Sequence, residues 1–320
     1  MLILNETMIG NAIEYKELTN CIEKAFIHYE DQKCLIPERF HLNFGNNTLL
    51  VMPAYEPTHF CTKLVTVNPE NNKKGKTSIH GTVILNDSET GQPIALMNGA
   101  TVTAARTGAI GSVAVRHLGK DYGDTLGIIG LGTQGFYQAL FVSEEKKFRK
   151  VVIWDKNTER LIEFTSLLKA ILPYTEIETV TKVEHLLEMS NIVICATTSD
   201  KPVLPDNEQL IKDKLYIGVG SFKPNMREFP DALPKLCSQI IIDTETAIHE
   251  SGDIAYPIEH NLIERDNIIP FGKLLKNPKL LDNNKTRFFK TVGMAVFDLY
   301  AAKYIYAMAI KNGHGFTLNL

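Results

Sequence analysis

At 320 residues, with 44% hydrophobic and 22% charged side chains, the chain has a globular composition and length for one large domain or two ordinary ones, which argues against disorder. A formal net charge of −3 provides no basic excess for nucleic acid or an anionic membrane, and no apolar run approaches the length of a membrane span. The opening MLILNETMIG lacks the basic start and long apolar core of a secretory signal. Five scattered cysteines (Cys21, Cys34, Cys61, Cys195, Cys237), odd in number and without a C-x-x-C pair, read as reduced thiols of a cytoplasmic protein. The nine histidines show no metal-ligand spacing, so no metal is expected.

In chain order, a short strand is predicted over residues 1–4 and a helix over 14–29, where Leu18, Cys21, Ile22, Ala25 and Phe26 recur at helical spacing. Residues 34–44, with Pro37 and Arg39, form a connection and a strand. Further strands are expected over 49–52, 60–67 and 81–85, with turn signals at Asn46-Asn47 and over 71–75. Residues 87–91 are a hairpin turn, and 93–97 the returning strand. Strands that follow one another this closely indicate an α+β domain. From 101 to 118 the chain turns helical, TVTAARTGAIGSVAVRHL, and its density of alanine and glycine lets it pack closely; Gly119 supplies a stop.

The next stretch, DTLGIIGLGTQGFYQALFVSEEKKFRKVVIWD (124–155), reads as strand, glycine turn, helix, strand and acid. Gly130, Gly132 and Gly135 give G-x-G-x-x-G between a strand over 125–129 and a helix whose apolar part is 136–142. In such a unit the first glycine permits the tight turn, the second lets a pyrophosphate approach the backbone, and the third lets helix and strand pack closely. The free N–H groups at the helix N-terminus then meet the phosphates. Residues 151–154 form the second strand. Asp155, at its end and about 20 residues past Gly135, stands where an acid would bind the adenosine ribose hydroxyls. That acid favours NAD(H), because it would repel a 2′-phosphate, while Lys156 and Arg160 leave NADP(H) open.

Beyond Asp155, strand and helix alternate. Helices are predicted over 158–172, 183–189 and 246–250 and around 262–264, and strands over 192–196, 215–219 and 239–242. The fold class is therefore α/β: a Rossmann-type doubly wound parallel sheet beside a strand-rich α+β domain. A long helix over 286–312, with Val292, Ala295, Val296, Leu299 and Ala302 as its apolar stripe and Gly313 as its stop, is expected to return to the first domain. The division predicted is 1–118 with 288–320, and 119–287.

A redox site for an acidic substrate needs cations, and three bases of the first third stand in unusual settings. Arg39 closes Pro37-Glu38-Arg39, Lys63 lies inside the apolar FCTKLVTV, and Arg106 lies inside AARTGA. A base embedded in apolar sequence must find an anion or snorkel to water. Taken singly, each is as readily an exposed strand or helix charge.

Pro37-Glu38-Arg39, Met52-Pro53 with Lys63, TGQPIALMN (90–98), TAART (103–107), GLGTQ (130–134), IWD (153–155), ATT (196–198) and KTVG (290–293) occur in an order and at spacings that resemble the ornithine cyclodeaminase/μ-crystallin family over nearly the whole chain. The resemblance implies that Arg39 and Arg106 hold a substrate carboxylate, for which a guanidinium fork is suited. It implies that Lys63 contacts the same carboxylate or donates a proton, and that Ser78 and Thr291 lie near substrate, Thr291 at the start of the returning helix. Thr107, Thr133, Gln134 and Asp155 would touch the dinucleotide. Ala196 and Thr197 would lie at the end of the fourth sheet strand on its adenine–ribose side, with Gly220 and Ser221 near the nicotinamide. Residues 1–118 with 288–320 would then bind substrate and form a homodimer, and 119–287 would bind the dinucleotide.

One departure narrows the chemistry. Cyclodeaminases of this family carry a catalytic aspartate just after a Gly-Gly pair, whereas GVGSFKPNMRE (218–228) places Phe222 there. Phenylalanine cannot accept a proton. This form resembles the family's imine reductases, including Δ1-pyrroline-2-carboxylate reductases and the ketimine reductase activity of μ-crystallin. The expected activity is NAD(P)H-dependent hydride transfer to the C=N bond of a small cyclic imino acid. The alternatives are ornithine cyclodeamination, an alanine-dehydrogenase-type reaction, and a non-catalytic NAD(P)H-binding μ-crystallin-like protein.

Overall fold

The computed structural model describes residues 1–75 and 77–319, with side chains for all of these except Asn72 and Lys73. The chain divides into two compact units, Met1–Arg106 with Met294–Leu320, and Thr107–Gly293. In chain order the first unit begins with β1 (Leu2–Leu4), α1 (Glu6–Ala12), α2 (Tyr15–Glu30), β2 (Phe40–Phe44), β3 (Asn47–Tyr55), β4 (His59–Val67), β5 (Ile79–Asp87) and β6 (Pro93–Asn98). Helix α3 (Gly99–Leu118) belongs to the first unit through Arg106 and to the second from Thr107. The second unit continues with β7 (Thr125–Ile129), α4 (Thr133–Glu145), β8 (Lys150–Trp154), α5 (Glu159–Ile171), β9 (Glu176–Thr179), α6 (Val183–Met189), β10 (Ile192–Cys195), α7 (Glu208–Ile211), β11 (Leu215–Gly218), α8 (Ala232–Leu236), β12 (Ile240–Ile242), α9 (Ala247–Glu250), α10 (Gly252–Glu259), β13 (Ile268–Pro270), α11 (Phe271–Lys276) and β14 (Arg287–Lys290). Helix α12 (Ala295–Asn312) and β15 (Phe316–Thr317) complete the first unit.

The first unit is built on a seven-stranded sheet ordered β15-β1-β6-β5-β4-β3-β2, antiparallel except where β1 runs parallel to β6. Strand alternation decides which side chains of β4 go inward: Cys61 and Lys63 are buried, while Thr62 and Leu64 take the other face. Helix α12 covers α2, β3, β4 and β5, and Phe297 meets Phe26 at 4.5 Å between ring centroids. Nearly every residue from Ala295 to Ala302 is buried, Asp298 among them.

In the second unit eight strands, all parallel, run in the order β13-β12-β14-β11-β10-β7-β8-β9. Their continuous apolar runs are buried, as in a sheet covered on both faces. The strand order reverses between β7 and β10, so the loops leaving these two carboxyl ends part there, the place where open α/β sheets bind ligands. The alanine–glycine density of α3 lets α4 come close: a Cβ on Gly111 would lie 1.8 Å from Gln138 Oε1, and Gln138 Nε2 donates to the Thr107 carbonyl at 2.7 Å.

The structure corrects the helix predicted over 286–312. Arg287–Lys290 is strand β14, paired in parallel with both β11 and β12, and all four residues are buried. A strand buried on both faces has no alternation to reveal it, and four residues are too few to establish a period. The chain then turns through Gly293, at φ +79°, before α12 begins at Ala295. Thr291 therefore stands in this turn, not at the start of a helix. No helix centres on 262–264; α10 ends at Glu259, and Arg265–Asn267 is a single 3₁₀ turn. Residues 71–75 fall largely within another 3₁₀ segment, Pro69–Lys74. Helix α1 was not anticipated, although Asn5 caps it by accepting from the Met8 N–H at 3.0 Å.

One buried carboxylate fixes the loops that follow β10 and β11. Glu228 Oε1 accepts from the Thr197 N–H (2.6 Å) and hydroxyl (2.9 Å), and Oε2 from the N–H groups of Gly220 (2.7 Å) and Ser221 (3.1 Å). The loops approach so closely that a Cβ on Gly220 would lie 1.8 Å from the Thr197 carbonyl oxygen. Burial pushes the Glu228 carboxyl upward, opposed by Lys290, whose Nζ lies 3.8 Å from Glu228 and 3.5 Å from Asp253. Glu228→Gln keeps the shape but turns an amide donor toward backbone donors and leaves Lys290 with less compensation. It is expected to destabilise the fold by about 3 kcal/mol, read as a lower urea midpoint; an unchanged midpoint would show that the carboxylate does not hold these loops.

Candidate active site

The glycine turn between β7 and α4 has the geometry a dinucleotide requires. Gly130 adopts φ +92°, and a Cβ on Gly135 would collide with the Gly130 carbonyl oxygen at 2.1 Å, so the turn closes tightly and the helix packs on it. Gly132 is the opposite case, with nothing within 4 Å of an added Cβ. Gly132 caps α4 without a side-chain bond to the first N–H groups, and Thr133 beside it is exposed. Gln134 Oε1 is buried there without a protein hydrogen-bond partner. An uncapped N-terminus at a strand-order reversal is an anion site by its own dipole and donors.

Asp155 stands at the end of β8, nearly buried. Its Oδ2 accepts from the Leu131 N–H at 2.8 Å and its Oδ1 from the Asn157 N–H at 2.8 Å. The carboxylate thus ties the glycine turn to the neighbouring strand, and each oxygen retains capacity for a further donor such as a ribose hydroxyl. Arg160 Nη1 lies 3.8 Å from Asp155 Oδ2. These residues fit a nicotinamide dinucleotide: an open glycine, free helix donors and an acid at the adjacent strand end.

The remaining cofactor candidates have defined places. Ala196 and Thr197 follow β10, and Gly220 and Ser221 follow β11; Glu228 holds Thr197, Gly220 and Ser221, and the Ala196 N–H donates to the Ile129 carbonyl at 2.8 Å. The Ser221 hydroxyl is committed within the unit, 2.7 Å from the Met226 carbonyl and 2.8 Å from the Ser251 hydroxyl. Thr107 is buried on α3. Phe222 is partly exposed in the loop after β11. Thr291 donates its hydroxyl to Asp243 at 2.6 Å, and the same carboxylate oxygen accepts from the N–H groups of Val292 (3.0 Å) and Gly293 (2.7 Å).

Within the first unit, Lys63 and Arg106 converge on one residue that the sequence reading did not single out. Lys63 Nζ donates to Asp298 Oδ2 at 2.6 Å and Arg106 Nε to Asp298 Oδ1 at 3.2 Å. The residues are 2%, 6% and 0% exposed respectively, so the charges are held away from water by each other. Burial drives the Lys63 amine below its ordinary lysine value; Asp298 opposes this, while the charges of Arg106 and of half-buried Arg39 add to it. Two buried cations, Lys63 and Arg106, share this one carboxylate, and the Arg39 charge acts on the same lysine. Ser78 lies just before β5, its hydroxyl oxygen buried without a protein partner, at a register position well along β5 from Val83, which pairs with Lys63. The signal for Asp298 was present in AVFDLYAA: an acid inside an apolar helix needs a cation, by the rule that picked out Lys63 and Arg106.

A sequence profile of the ornithine cyclodeaminase/mu-crystallin family matches residues 1–313. The chain is 31% identical to a Δ1-pyrroline-2-carboxylate reductase of Bacillus thuringiensis subsp. konkukian, over 98% of both chains. Its structure is similar to that of the Thermococcus litoralis Δ1-pyrroline-2-carboxylate reductase in complex with NADH and L-proline, with a TM-score of 0.91 and 31% identity over 99% of this chain and 100% of the other. It is also similar to an archaeal alanine dehydrogenase dimer with bound NAD, with a TM-score of 0.90 and 25% identity over 100% and 99% of the two chains. From its glycine turn to its buried cations, the chain belongs to the ornithine cyclodeaminase/mu-crystallin family.

Proposed function

We propose that the protein is an NADH-dependent reductase of a small cyclic imino acid, of the Δ1-pyrroline-2-carboxylate to proline type. The observation that carries this reading is the pair of buried cations, Lys63 and Arg106, that share the single carboxylate of Asp298, a cluster suited to a carboxylate substrate. Full-length likeness to Δ1-pyrroline-2-carboxylate reductases, one of them solved with NADH and L-proline, supports the imine as the reacting group. Phe222 supports reduction over cyclodeamination, because its ring cannot take a proton from a substrate amine.

In this reading the N-terminal N–H groups of α4 would hold the pyrophosphate, and Asp155 would receive the ribose hydroxyls. Bound NADH supplies the hydride. Arg106 and Arg39 grip the substrate carboxylate; the Nη1–Nη2 edge of Arg106 is not the edge that bonds Asp298, and it suits a bidentate grip. Holding the carboxylate fixes the adjacent C=N carbon for attack, which removes much of the entropic part of the barrier. Lys63 Nζ holds the proton destined for the imine nitrogen, delivered directly or through one water. We assign preference to NADH because Asp155 repels a 2′-phosphate and already faces the nearby Arg160 charge.

The protein is further proposed to be a cytoplasmic homodimer. All five cysteines are free, as suits a reducing compartment, and no helix among the described residues is long and apolar enough to cross a membrane. Phe40, Leu42 and Phe44 share one face of the edge strand β2 and are 58%, 47% and 47% exposed, a row of apolar side chains that a second copy would cover.

Three measurements test these assignments. Stoichiometric NADH oxidation with Δ1-pyrroline-2-carboxylate, faster than with NADPH, is expected; ammonia release from ornithine with catalytic NAD would overturn the reductase reading. Gly132→Ala meets no protein atom, so the thermal midpoint should hold while the Kd for NADH, read by fluorescence titration, rises about tenfold or more; unaltered binding would move the cofactor elsewhere. Light scattering should give twice the 35.9 kDa of one chain, reduced to one chain by Leu42→Asp, and a monomeric parent protein would remove the dimer.

A further inference from the structure

We infer that Asp298 is a positioning residue that keeps the Lys63 amine protonated and holds Lys63 and Arg106 in one fixed arrangement. The inference rests on the reductase reading for its catalytic consequence, but its geometry stands within the first unit alone. Asp298 gives one carboxylate oxygen to each cation, Oδ2 to Lys63 at 2.6 Å and Oδ1 to Arg106 Nε at 3.2 Å. The three residues come from three elements, β4, α3 and α12, so a single carboxylate ties a strand and two helices at one point. Its own position is fixed, because Val296, Phe297 and Leu299 around it are fully buried and Phe297 packs on Phe26. A carboxylate so placed cannot follow a lysine that moves, so Lys63 comes to it.

The charges that act most on Lys63 come from three other segments of the chain. Asp298 on α12 favours the ammonium, and Arg106 on α3 and Arg39, before β2, disfavour it. Cys61, two residues back on the same face of β4, is a neutral thiol, because burial and the nearby Asp298 push its pKa upward. Burial itself favours the free amine. Asp298 is thus the negative charge that acts most strongly on Lys63, set against desolvation and two guanidinium groups. A guanidinium does not release its proton in a protein, so when the balance fails it is Lys63 that becomes neutral. A neutral Lys63 has no proton to give and no charge to offer a carboxylate.

The test compares the wild-type protein with Asp298→Asn, Asp298→Glu and Arg106→Gln. Lys63 is labelled with ¹³C at Cε, its NMR signal is assigned by its absence in Lys63→Arg, and it is titrated with pH. Asp298→Asn should move the Lys63 titration to lower pH, Arg106→Gln should move it to higher pH, and Asp298→Glu should leave it near wild type. Opposite movements in the two charge-deleting variants are not expected of a residue that only supports packing. With Δ1-pyrroline-2-carboxylate and NADH, kcat/KM of Asp298→Asn should fall about tenfold more at pH 9 than at pH 6.5, with the Kd for NADH unchanged. An unmoved Lys63 titration in Asp298→Asn overturns the inference even if the enzyme reduces imines. Should Asp298→Asn fail to fold, a wild-type Lys63 that is unprotonated at neutral pH overturns it, because Asp298 then does not keep the amine charged. A wild-type protein that reduces no imine while its Lys63 responds as described would remove the reductase reading and leave the electrostatic role of Asp298 in place.

Discussion

A carboxylate buried between two buried cations is a demanding thing for a fold to contain. Each charge alone would cost several kcal/mol to remove from water, and the set is tolerable only because Asp298 meets Lys63 and Arg106 at bonding distance. Lys63 is far from Asp298 in sequence, so the sheet, α3 and α12 must all be in place before any of these charges is compensated. Apolar side chains of similar size often serve stability as well as such a set, or better. What the arrangement provides is two cations in a dry, fixed setting, where attraction for an anion is stronger than in water.

The second unit uses buried carboxylates in a related way, with backbone N–H groups as most of the hydrogen-bond partners. Glu228 gathers four donors from the loops after β10 and β11, and Asp243 gathers three from the turn after β14. Asp155 links the glycine turn to the end of β8. In each case the carboxylate stands where a strand gives way to irregular chain, and it supplies the acceptors that an ended ladder no longer provides. Such loops can present backbone groups to a ligand in one conformation, which is what a preorganised site needs.

The distinction between reduction and deamination turns on what is missing as much as on what is present. Early in the loop after β11 stand Ser221, Phe222 and Lys223, none of them a carboxylate, and the loop's buried Glu228 is engaged by Thr197, Gly220 and Ser221. The proton in the proposed reaction is therefore given by a cation, not collected by an anion. A depressed lysine pKa, held up by one carboxylate, suits a group that must be charged and still able to part with its proton.

Much of this was legible in the sequence, for local reasons. The glycine turn was readable because G-x-G-x-x-G between an apolar strand and a helix meets steric demands that operate within a few residues, and the positions of Gly130, Gly132 and Gly135 meet them. Lys63 and Arg106 stood out because a charge in an apolar run needs an explanation that sequence can pose. The partner that answers it could come only from the tertiary structure. Asp298 is distant in sequence from both cations, and nothing local in AVFDLYAA says which of its buried residues meets β4. Strand β14 was invisible for a similar reason: RFFK has no period of its own, and only the neighbours β11 and β12 make it a strand. Short-range sterics and composition are written residue by residue, whereas the pairing of buried charges and the identity of a doubly covered strand depend on which distant segments come together.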